Sequence, residues 1–271
     1  MGPTCSICGS QTRLQHRDQV LGKYEVAYFY CDRCGLLQTE EPYWLKEAYA
    51  DAIADSDTGL VTRNIALAVR LSSVLYSFFD PRARYVDVGG GYGVLTRLMR
   101  DVGFDFFWSD PYCDNLFARG FEAEPEAGPY EAITAFEVME HLRDPLGFIR
   151  QHLAEYGSST FIFSTELYQG MPPPPGSWAY YAPGTGQHIS FYQRRTLQVM
   201  ADRLSLSCYS RGYFHVLTER RLNPLLYKVA ASKASVSLLP LLRLKLGSRT
   251  LSDRELVLQR GARITGPSVD R

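Results

Sequence analysis

Tyr-Val-Asp-Val-Gly-Gly-Gly-Tyr-Gly, residues 85–93, is the stretch that decides the fold. A short β-rich run ends here in glycines, and residues 94–100 continue with helical spacing, which predicts a strand, a tight turn and a helix. Glycine lets a ligand come close to the backbone, and the N-terminus of a helix favours negative charge. The stretch therefore predicts a ligand-binding loop at the end of a buried strand.

Further strands are predicted on the C-terminal side of this loop. Apolar runs at residues 104–109, 130–136 and 159–165 are separated by helical stretches, which predicts a doubly wound, mostly parallel α/β sheet. The first run ends at Asp110, about 20 residues past the loop, where a carboxylate can accept both hydroxyl groups of a ribose. A helix is predicted at residues 196–204, and the last two strands at residues 206–213 and 214–218.

Two motifs in this part of the chain resemble those of class I S-adenosylmethionine-dependent methyltransferases. VDVGGGYG at residues 86–93 is similar to D-x-G-x-G-x-G, and AFEVMEHLRDP at residues 135–145 is similar to F-x-x-x-E-H-x-x-x-P. The resemblance implies an enzyme with a Rossmann-like sheet of seven strands, mostly parallel, with helices on both faces. The cofactor-binding residues that it implies are Asp87, Gly89, Gly91 and Gly93 around the methionine end and ribose, Asp110 at the ribose hydroxyls, Pro111 or Tyr112 beside the adenine, and Glu137 at the mouth of the site.

Two other interpretations of the glycine loop compete with this one. A dinucleotide site needs G-x-G-x-x-G, but the position of its third glycine, residue 94, is valine. A tight turn without any ligand is the second alternative, and it does not account for the other motif.

Four of the six cysteines form two C-x2-C pairs, Cys5 with Cys8 and Cys31 with Cys34. Two such pairs supply four thiolates in a tetrahedron, which is the closed shell of structural zinc and leaves no open position for catalysis. Residues 1–40 therefore resemble a zinc ribbon, with the metal as the main stabilising element of a module too small for a large core. Two disulfides are the alternative interpretation.

Residues 41–80 are predicted to be a helical linker, and the resemblance to class I methyltransferases implies that it closes over the cofactor. Residues 44–53 and 64–75 have helical spacing. Arg63 is the predicted partner of the cofactor carboxylate, since an arginine binds a carboxylate in a bidentate manner. Tyr49 and Thr58 are further lid candidates, and surface helices with one packed face are the alternative.

The acceptor is expected to bind beyond the carboxyl ends of the strands, where residues 166–192 follow the fourth strand. Trp178, Tyr180 and Tyr181 offer flat faces of the kind found in sugar sites, and His188 is the predicted general base. Glu166 or Tyr180 is predicted to assist His188. A proline-rich surface loop, with a histidine that bonds the loop's own backbone, is the alternative.

The stretch H-x-S-F-Y at residues 188–192, after W-x-Y-Y at residues 178–181, resembles a group of bacterial methyltransferases acting on sugars or surface polysaccharides. Several of these carry a four-cysteine zinc module in front. The resemblance implies O-methylation of a sugar hydroxyl in a free sugar, a nucleotide-sugar or a glycan. C-methylation of a keto-sugar, an RNA methyltransferase and a cofactor-binding module without catalysis remain alternatives.

The charge is balanced overall but divided along the chain. Lys+Arg and Asp+Glu are 29 each, yet residues 1–210 carry −8 and residues 211–271 carry +8. A neutral total makes nucleic acid an unexpected main partner. Residues 81–220 are predicted to form the cofactor-binding domain, and residues 221–271 a basic helical extension. No membrane span or signal peptide is predicted, so we expect a cytoplasmic protein. Residues 222–247 suit contact with the inner membrane face, packing and oligomer contacts, or RNA.

Overall fold

A computed structural model describes residues 2–49 and 57–264, with the side chains of residues 261–264 excepted. The strands in chain order are β1 (Arg13–Val20), β2 (Tyr24–Tyr30), β3 (Leu37–Thr39), β4 (Arg84–Val88), β5 (Asp105–Ser109), β6 (Ala132–Ala135), β7 (Thr160–Ser164), β8 (Ser190–Phe191), β9 (Ser207–Arg211) and β10 (Phe214–Thr218). The α-helices are α1 (Leu45–Ala48), α2 (Leu60–Phe78), α3 (Val94–Val102), α4 (Pro145–Glu155), α5 (Arg194–Leu204), α6 (Pro224–Ala230), α7 (Leu239–Leu246) and α8 (Thr250–Ile264).

The larger sheet has six strands in the order β5-β4-β6-β7-β10-β9. Strands β5, β4, β6 and β7 are parallel, whereas β10 runs antiparallel to both of its neighbours. The central strands are buried on both faces, as expected of parallel strands covered by helices. The predicted α/β class and mostly parallel sheet are thereby confirmed.

The expected seventh strand is reduced to one bridge. Beyond β5, Glu122 pairs with Trp108 in a single parallel bridge, held by the backbone bonds Trp108 N to Phe121 O (2.8 Å) and Ala123 N to Trp108 O (2.7 Å). Pro125 then begins a 3-10 turn and has no backbone N–H to continue a ladder. In the described part of the chain the sheet therefore has six strands rather than seven.

The two faces of this sheet are covered differently. One face packs against α4, α5 and the buried cysteines, with Leu146, Ile149, Leu197 and Met200 in its core. The other packs against α2, α3, α6 and α7, with Leu71, Met99 and Leu242 in its core. The carboxyl ends of β4, β5, β6 and β7 remain at one edge, where ligands bind in sheets of this kind.

The cysteine module, residues 2–40, shares its sheet with the rest of the chain. Strands β1, β2 and β3 are antiparallel, and β8 adds a fourth strand by pairing with β3. Trp44, Tyr181 and Phe191 pack in the same small core as the module's own strands. The boundary predicted at residue 40 thus separates two parts of one sheet.

The linker and tail differ in detail from the predicted helices. Residues 44–53 contain the short α1, while residues 50–53 lie outside the described residues. The predicted helical extension begins with α6, which is followed by a 3-10 segment, Lys233–Leu238, where the Ser232 side chain accepts from Ala234 N and starts a new turn.

The C-terminal helix is tied to the domain by a buried ion pair. Asp253 on α8 is 2% exposed and accepts from Nε and Nη2 of Arg100 on α3, each at 2.8 Å.

No single described helix is long and apolar enough to cross a membrane. Helix α6 and the segment Lys233–Leu246 reach that length and composition together, but they bend by 71° at their break.

Candidate functional site

The glycine loop connects β4 to α3 in left-handed backbone conformations. Gly89, Gly91 and Gly93 have φ values of 66°, 53° and 84°. A Cβ on Gly91 would meet nothing within 4 Å, so this side of the loop is open to a ligand. At Gly89 a Cβ would approach Val138 Cγ2 to 2.7 Å, which shows how closely the next motif packs against the loop.

Asp87 lies beneath this loop at the end of β4. Its side chain is fully enclosed, and its Oδ1 accepts a hydrogen bond from Thr134 Oγ1 on β6 at 2.6 Å. Burial, opposed by the Thr134 bond and reinforced by Asp110, raises the pKa of Asp87 to about 7. The bond between these two neighbouring strands thus fixes the Asp87 side chain close to the loop, where a Cβ on Gly90 would lie 3.1 Å from Asp87 Oδ2.

Asp110 follows β5 and is bound by its own surroundings. Its Oδ2 accepts from Gly91 N at 2.9 Å, and its Oδ1 accepts from Tyr112 N and Cys113 N at 2.8 and 3.0 Å. A carboxylate has about four acceptor positions, so about one remains for a ribose hydroxyl before a backbone bond must yield. Pro111 and Tyr112 are exposed, with Tyr112 at 89%, beside an open cleft that Trp108 and Glu122 also line.

Glu137 stands at the carboxyl end of β6 with a left-handed backbone, φ 55°. Such a conformation costs free energy in a non-glycine residue and is concentrated at functional sites. Ser164 Oγ accepts from Glu137 N and donates to Glu137 Oε1, both at 2.8 Å, and this exchange stabilises the strained residue. Arg63 Nε lies 3.5 Å from Glu137 Oε2 and its Nη2 lies 2.6 Å from Asp57. Arg63 therefore reaches the same edge of the sheet as the predicted cofactor residues.

The acceptor loop, residues 166–189, forms one wall of the site. His188 Nδ1 lies 2.6 Å from the carbonyl oxygen of Tyr180. Because a carbonyl only accepts, Nδ1 carries the proton and Nε2 keeps its lone pair. Burial lowers the pKa of His188, so the ring is neutral at neutral pH. This state suits a base, although the backbone bond is also what the structural alternative describes.

The other two predicted catalytic residues have different partners. The Tyr180 hydroxyl bonds Thr165 Oγ1 at 3.1 Å, and burial raises the pKa of this phenol well above its usual value, so it is a donor rather than a base. Glu166 Oε2 accepts from Trp178 Nε1 at 3.1 Å. Among the described contacts, the hydrogen bond of Glu166 is to Trp178 and not to His188. Glu166 therefore positions the aromatic wall of the acceptor loop, which consists of Trp178 and Tyr180.

Sequence reasoning missed the role of the residues next to this wall. Glu140 is completely buried, and neither of its carboxylate oxygens has a hydrogen-bond partner among the described residues. One oxygen of Glu140 and one ring nitrogen each of His141 and His188 lie within 4.8 Å of one another. Glu140 and His141 belong to the motif that indicated the cofactor, but the motif alone does not show that residue 188 comes back to meet them.

The four cysteine thiols converge as their spacing predicts. All four are buried, with Cys5 Sγ 3.5 Å from Cys34 Sγ and Cys8 Sγ 3.4 Å from Cys31 Sγ. A tetrahedron with zinc–sulfur bonds of about 2.3 Å has edges of roughly 3.8 Å, close to these separations. A disulfide bond would need about 2.05 Å, so the two-disulfide alternative is not what the structure contains.

A family profile described as "Methyltransferase domain" matches residues 62–210, more than half of the chain. The chain belongs to this methyltransferase family. The matched region runs from α2 to β9 and includes the glycine loop, Glu137 and the acceptor loop. The prediction of an S-adenosylmethionine-dependent methyltransferase is thereby confirmed. No curated protein sequence matches the methyltransferase significantly.

Several solved structures are similar to the methyltransferase at low identity. Magnesium protoporphyrin IX methyltransferase (ChlM) from Synechocystis PCC 6803, with bound SAH, is 16% identical with a TM-score of 0.43, over 64% of this chain and 90% of that chain. The mitomycin 7-O-methyltransferase MmcR is 13% identical with a TM-score of 0.40, over 64% of this chain and 59% of that one. CalO1, a methyltransferase in calicheamicin biosynthesis, is 11% identical with a TM-score of 0.42, over 65% and 61%. This chain thus spans less than two thirds of the last two proteins.

The residues at the sheet edge fit an S-adenosylmethionine molecule chemically. The open backbone of the glycine loop offers groups for the methionine part of the cofactor. The acid after β5 offers a group for the ribose, and the Arg63 guanidinium offers one for the cofactor carboxylate. Glu137 and Arg63 come together, while Glu166 is drawn toward Trp178. The individual cofactor contacts stay predictions.

Proposed function

We propose that this methyltransferase transfers a methyl group to a hydroxyl of a sugar, which is free, nucleotide-linked or part of a glycan. The observation that carries the proposal is the aromatic wall of the acceptor loop, which stands beside Glu137 at the carboxyl edge of the sheet. The Trp178 and Tyr180 rings have centroids 5.1 Å apart, and the Tyr180 ring lies 4.7 Å from that of His188. Flat, half-buried rings next to polar groups suit the apolar faces and hydroxyls of a sugar ring.

In the simplest form of this proposal, His188 acts as a free general base. S-adenosylmethionine supplies an electrophilic methyl group on a sulfonium centre. The proton of the acceptor hydroxyl passes to His188 Nε2 as the oxygen–methyl bond forms and the sulfur–methyl bond breaks. The Tyr180 carbonyl holds Nδ1–H and thereby fixes the tautomer that this step requires. The acceptor loop aligns the hydroxyl with the methyl group, and this proximity supplies much of the rate enhancement.

The cysteine module is proposed to hold a structural zinc ion. Four buried thiols at tetrahedral separations fit the ion, and burial raises the pKa of the Cys31 thiol to about 11. A divalent cation offsets the cost of holding such thiols as thiolates. Because β8 joins the module's sheet, the zinc would also support the end of the acceptor loop.

The proposed acceptor is tested by measuring S-adenosylhomocysteine release with three sets of acceptors. These are nucleotide-sugars, free and polymeric glycans, and an RNA pool. We expect methylation of a sugar hydroxyl, located by mass spectrometry and NMR. A methyl group on carbon would point to C-methylation of a keto-sugar. Turnover on RNA alone, or cofactor binding without turnover on any set, would overturn the proposal.

A further inference from the structure

The cluster of Glu140, His141 and His188 is built as a cation site. One ligand atom from each side chain lies within 4.8 Å of the others. Two ligand atoms on opposite sides of a cation with bonds of about 2.1 Å are about 4.2 Å apart, so small side-chain movements suffice to close the site. Glu140 and His141 lie in a 3-10 turn after β6, and His188 lies at the end of the acceptor loop. The cluster therefore joins two separate segments of the site.

The carboxylate of Glu140 is only weakly compensated within the described structure. It is fully buried, and both oxygens lack a hydrogen-bond partner in the described part of the chain. The backbone N–H of Glu140 and the Tyr180 hydroxyl lie close enough to lower the pKa of Glu140, but the Tyr180 hydroxyl makes its hydrogen bond to Thr165 Oγ1. An unpaired buried carboxylate is costly, and such groups are usually paired or bound to a metal. Burial accordingly raises the pKa of Glu140 to about 8.

Both imidazoles are prepared to present Nε2. The Gln187 carbonyl lies 3.1 Å from His141 Nδ1, and the Tyr180 carbonyl lies 2.6 Å from His188 Nδ1. The Tyr180 carbonyl requires a protonated Nδ1 and leaves the lone pair of His188 on Nε2. The His141 ring is held by the carbonyls of both Gln187 and Glu137, and the proposed coordination uses its tautomer with the proton on Nδ1. The Tyr49 oxygen, 2.8 Å from His141 Nδ1, shares that proton. A second ring nitrogen bonded to a backbone carbonyl is the usual support of a metal-binding histidine.

We propose that Glu140, His141 and His188 bind a divalent transition-metal cation that coordinates the hydroxyl of the acceptor. Two imidazoles and one carboxylate favour first-row transition metals over magnesium or calcium, and three protein ligands leave positions open for the acceptor. The inference rests on the proposed function and replaces one of its steps, because His188 then acts through the cation rather than as a free base. Coordination lowers the pKa of the hydroxyl, so its proton passes to water, and the oxygen–methyl bond then forms as the sulfur–methyl bond of the cofactor breaks and S-adenosylhomocysteine leaves.

The test is a titration with Mn²⁺ of wild-type protein that carries one zinc ion per chain, enough for the four cysteines only, followed by the EPR signal of free Mn²⁺. Mn²⁺ binds thiolates weakly, so the four cysteines do not contribute to the measured Mn²⁺ binding. We expect one Mn²⁺ site per chain. Glu140→Gln and His188→Gln should each weaken it at least about tenfold, whereas Glu126→Gln and His16→Gln should leave it unchanged. Absence of the site, or equal affinity in all variants, would overturn the inference.

The failure of this inference differs from that of the proposed function. Methyl transfer to a sugar that is unchanged by Mn²⁺, with no Mn²⁺ bound, leaves the free-base form in place and removes the cation. A Mn²⁺ site that depends on Glu140, with no turnover on any sugar, retains the cation and removes the sugar acceptor.

A second inference comes from the outer surface of residues 220–252. This segment has seven Lys and Arg side chains and no Asp or Glu. Tyr227, Ala230 and Leu242 are buried in the core that α2 shares. The large apolar side chains exposed on the segment are Leu225, Leu226, Val229, Val236, Leu238, Leu241, Leu244 and Leu251. Since the buried side chains face the domain, the exposed ones point away from it.

We infer that this surface binds an anionic lipid bilayer peripherally. Apolar side chains interspersed with cations and without acids match the headgroup boundary of a negatively charged membrane. The exposed leucines insert into that boundary, while residues such as Lys228 and Lys233 contact the headgroups. The site of methyl transfer would then lie at the cytoplasmic membrane face, where lipid-linked glycans are accessible.

This inference is tested by sedimentation of the full chain with phosphatidylcholine vesicles, with and without phosphatidylglycerol. We expect binding only to the anionic vesicles. Lys228→Gln should weaken it roughly fivefold. Leu225→Ser combined with Leu244→Ser should abolish it, while Leu14→Ser, at another exposed leucine, should not. Equal binding to both vesicles, no binding, or binding that survives the double substitution would overturn the inference.

Discussion

Replacing Asp110 by alanine removes the carboxylate proposed to bind the cofactor ribose. In the structure this group accepts three backbone N–H bonds and has about one acceptor position left. A hydrogen bond to a charged group contributes about 1.5–3 kcal/mol. With one ribose bond lost, the affinity for S-adenosylhomocysteine should fall roughly 10- to 150-fold. Loss of the Gly91 bond adds to this effect, because the glycine loop is then less well ordered.

The measurement is isothermal titration of S-adenosylhomocysteine into wild-type protein and Asp110→Ala. Asp114→Ala removes an exposed carboxylate four positions away and serves as the matched control. Thermal unfolding of each variant separates loss of contact from loss of fold. An unchanged affinity in folded Asp110→Ala, or an equal loss in the control, would refute the assignment of the ribose to this residue.

Three further predictions concern the acceptor side, the metal and the pH dependence. His188→Gln should lower turnover by about 10²- to 10⁴-fold while S-adenosylhomocysteine affinity stays near its wild-type value, as measured by steady-state kinetics and calorimetry. Cys5→Ser should remove zinc and destabilise the cysteine module, whereas Cys113→Ser, at an isolated thiol, should do neither, as measured by metal analysis and thermal unfolding. Burial lowers the pKa of His215 to about 4. The contribution of neutral His215 to the free energy of unfolding is therefore complete above pH ~6.5, and it falls by about 3 kcal/mol as the pH falls to 4. Chemical unfolding of wild type and His215→Gln across this range should show that excess loss in the wild type only.

Each of these predictions has a clear contrary result. Full turnover in His188→Gln would make this histidine structural, in line with its bond to the Tyr180 carbonyl. A metal-free Cys5→Ser with an intact cysteine module would contradict the structural role of zinc. Parallel pH profiles for wild type and His215→Gln would show that His215 is not held neutral by the fold.

The sequence predicted those parts of the fold that depend on local pattern. The strands expected at residues 104–109, 159–165 and 214–218 are observed as β5, β7 and β10 within a residue of each end. Each C-x2-C pair forms by a local turn, and each needs only the other pair to complete the cluster of four thiols. These elements follow from apolar runs, glycines and spacing, all of which act over a few residues.

The parts that could not be predicted depend on contacts between distant segments. Nothing near Ser190 indicates that it pairs with Gln38, since two residues are too few for a strand pattern. Pro125 shortens the expected outer strand, and its effect is clear only once the register of Trp108 is known. Glu140 looked like a motif residue, and its burial without a partner appears only when the acceptor loop covers it.

The pairing of β8 with β3 has a consequence for the order of events during synthesis. Gln38 meets Ser190, so the contact closes a loop of about 150 residues. At about 5–20 residues per second, the ribosome needs roughly 10 to 30 s to make this intervening stretch. For that time the nascent cysteines have no strand beside β3. Early capture of a metal ion would protect them from oxidation until the partner strand emerges.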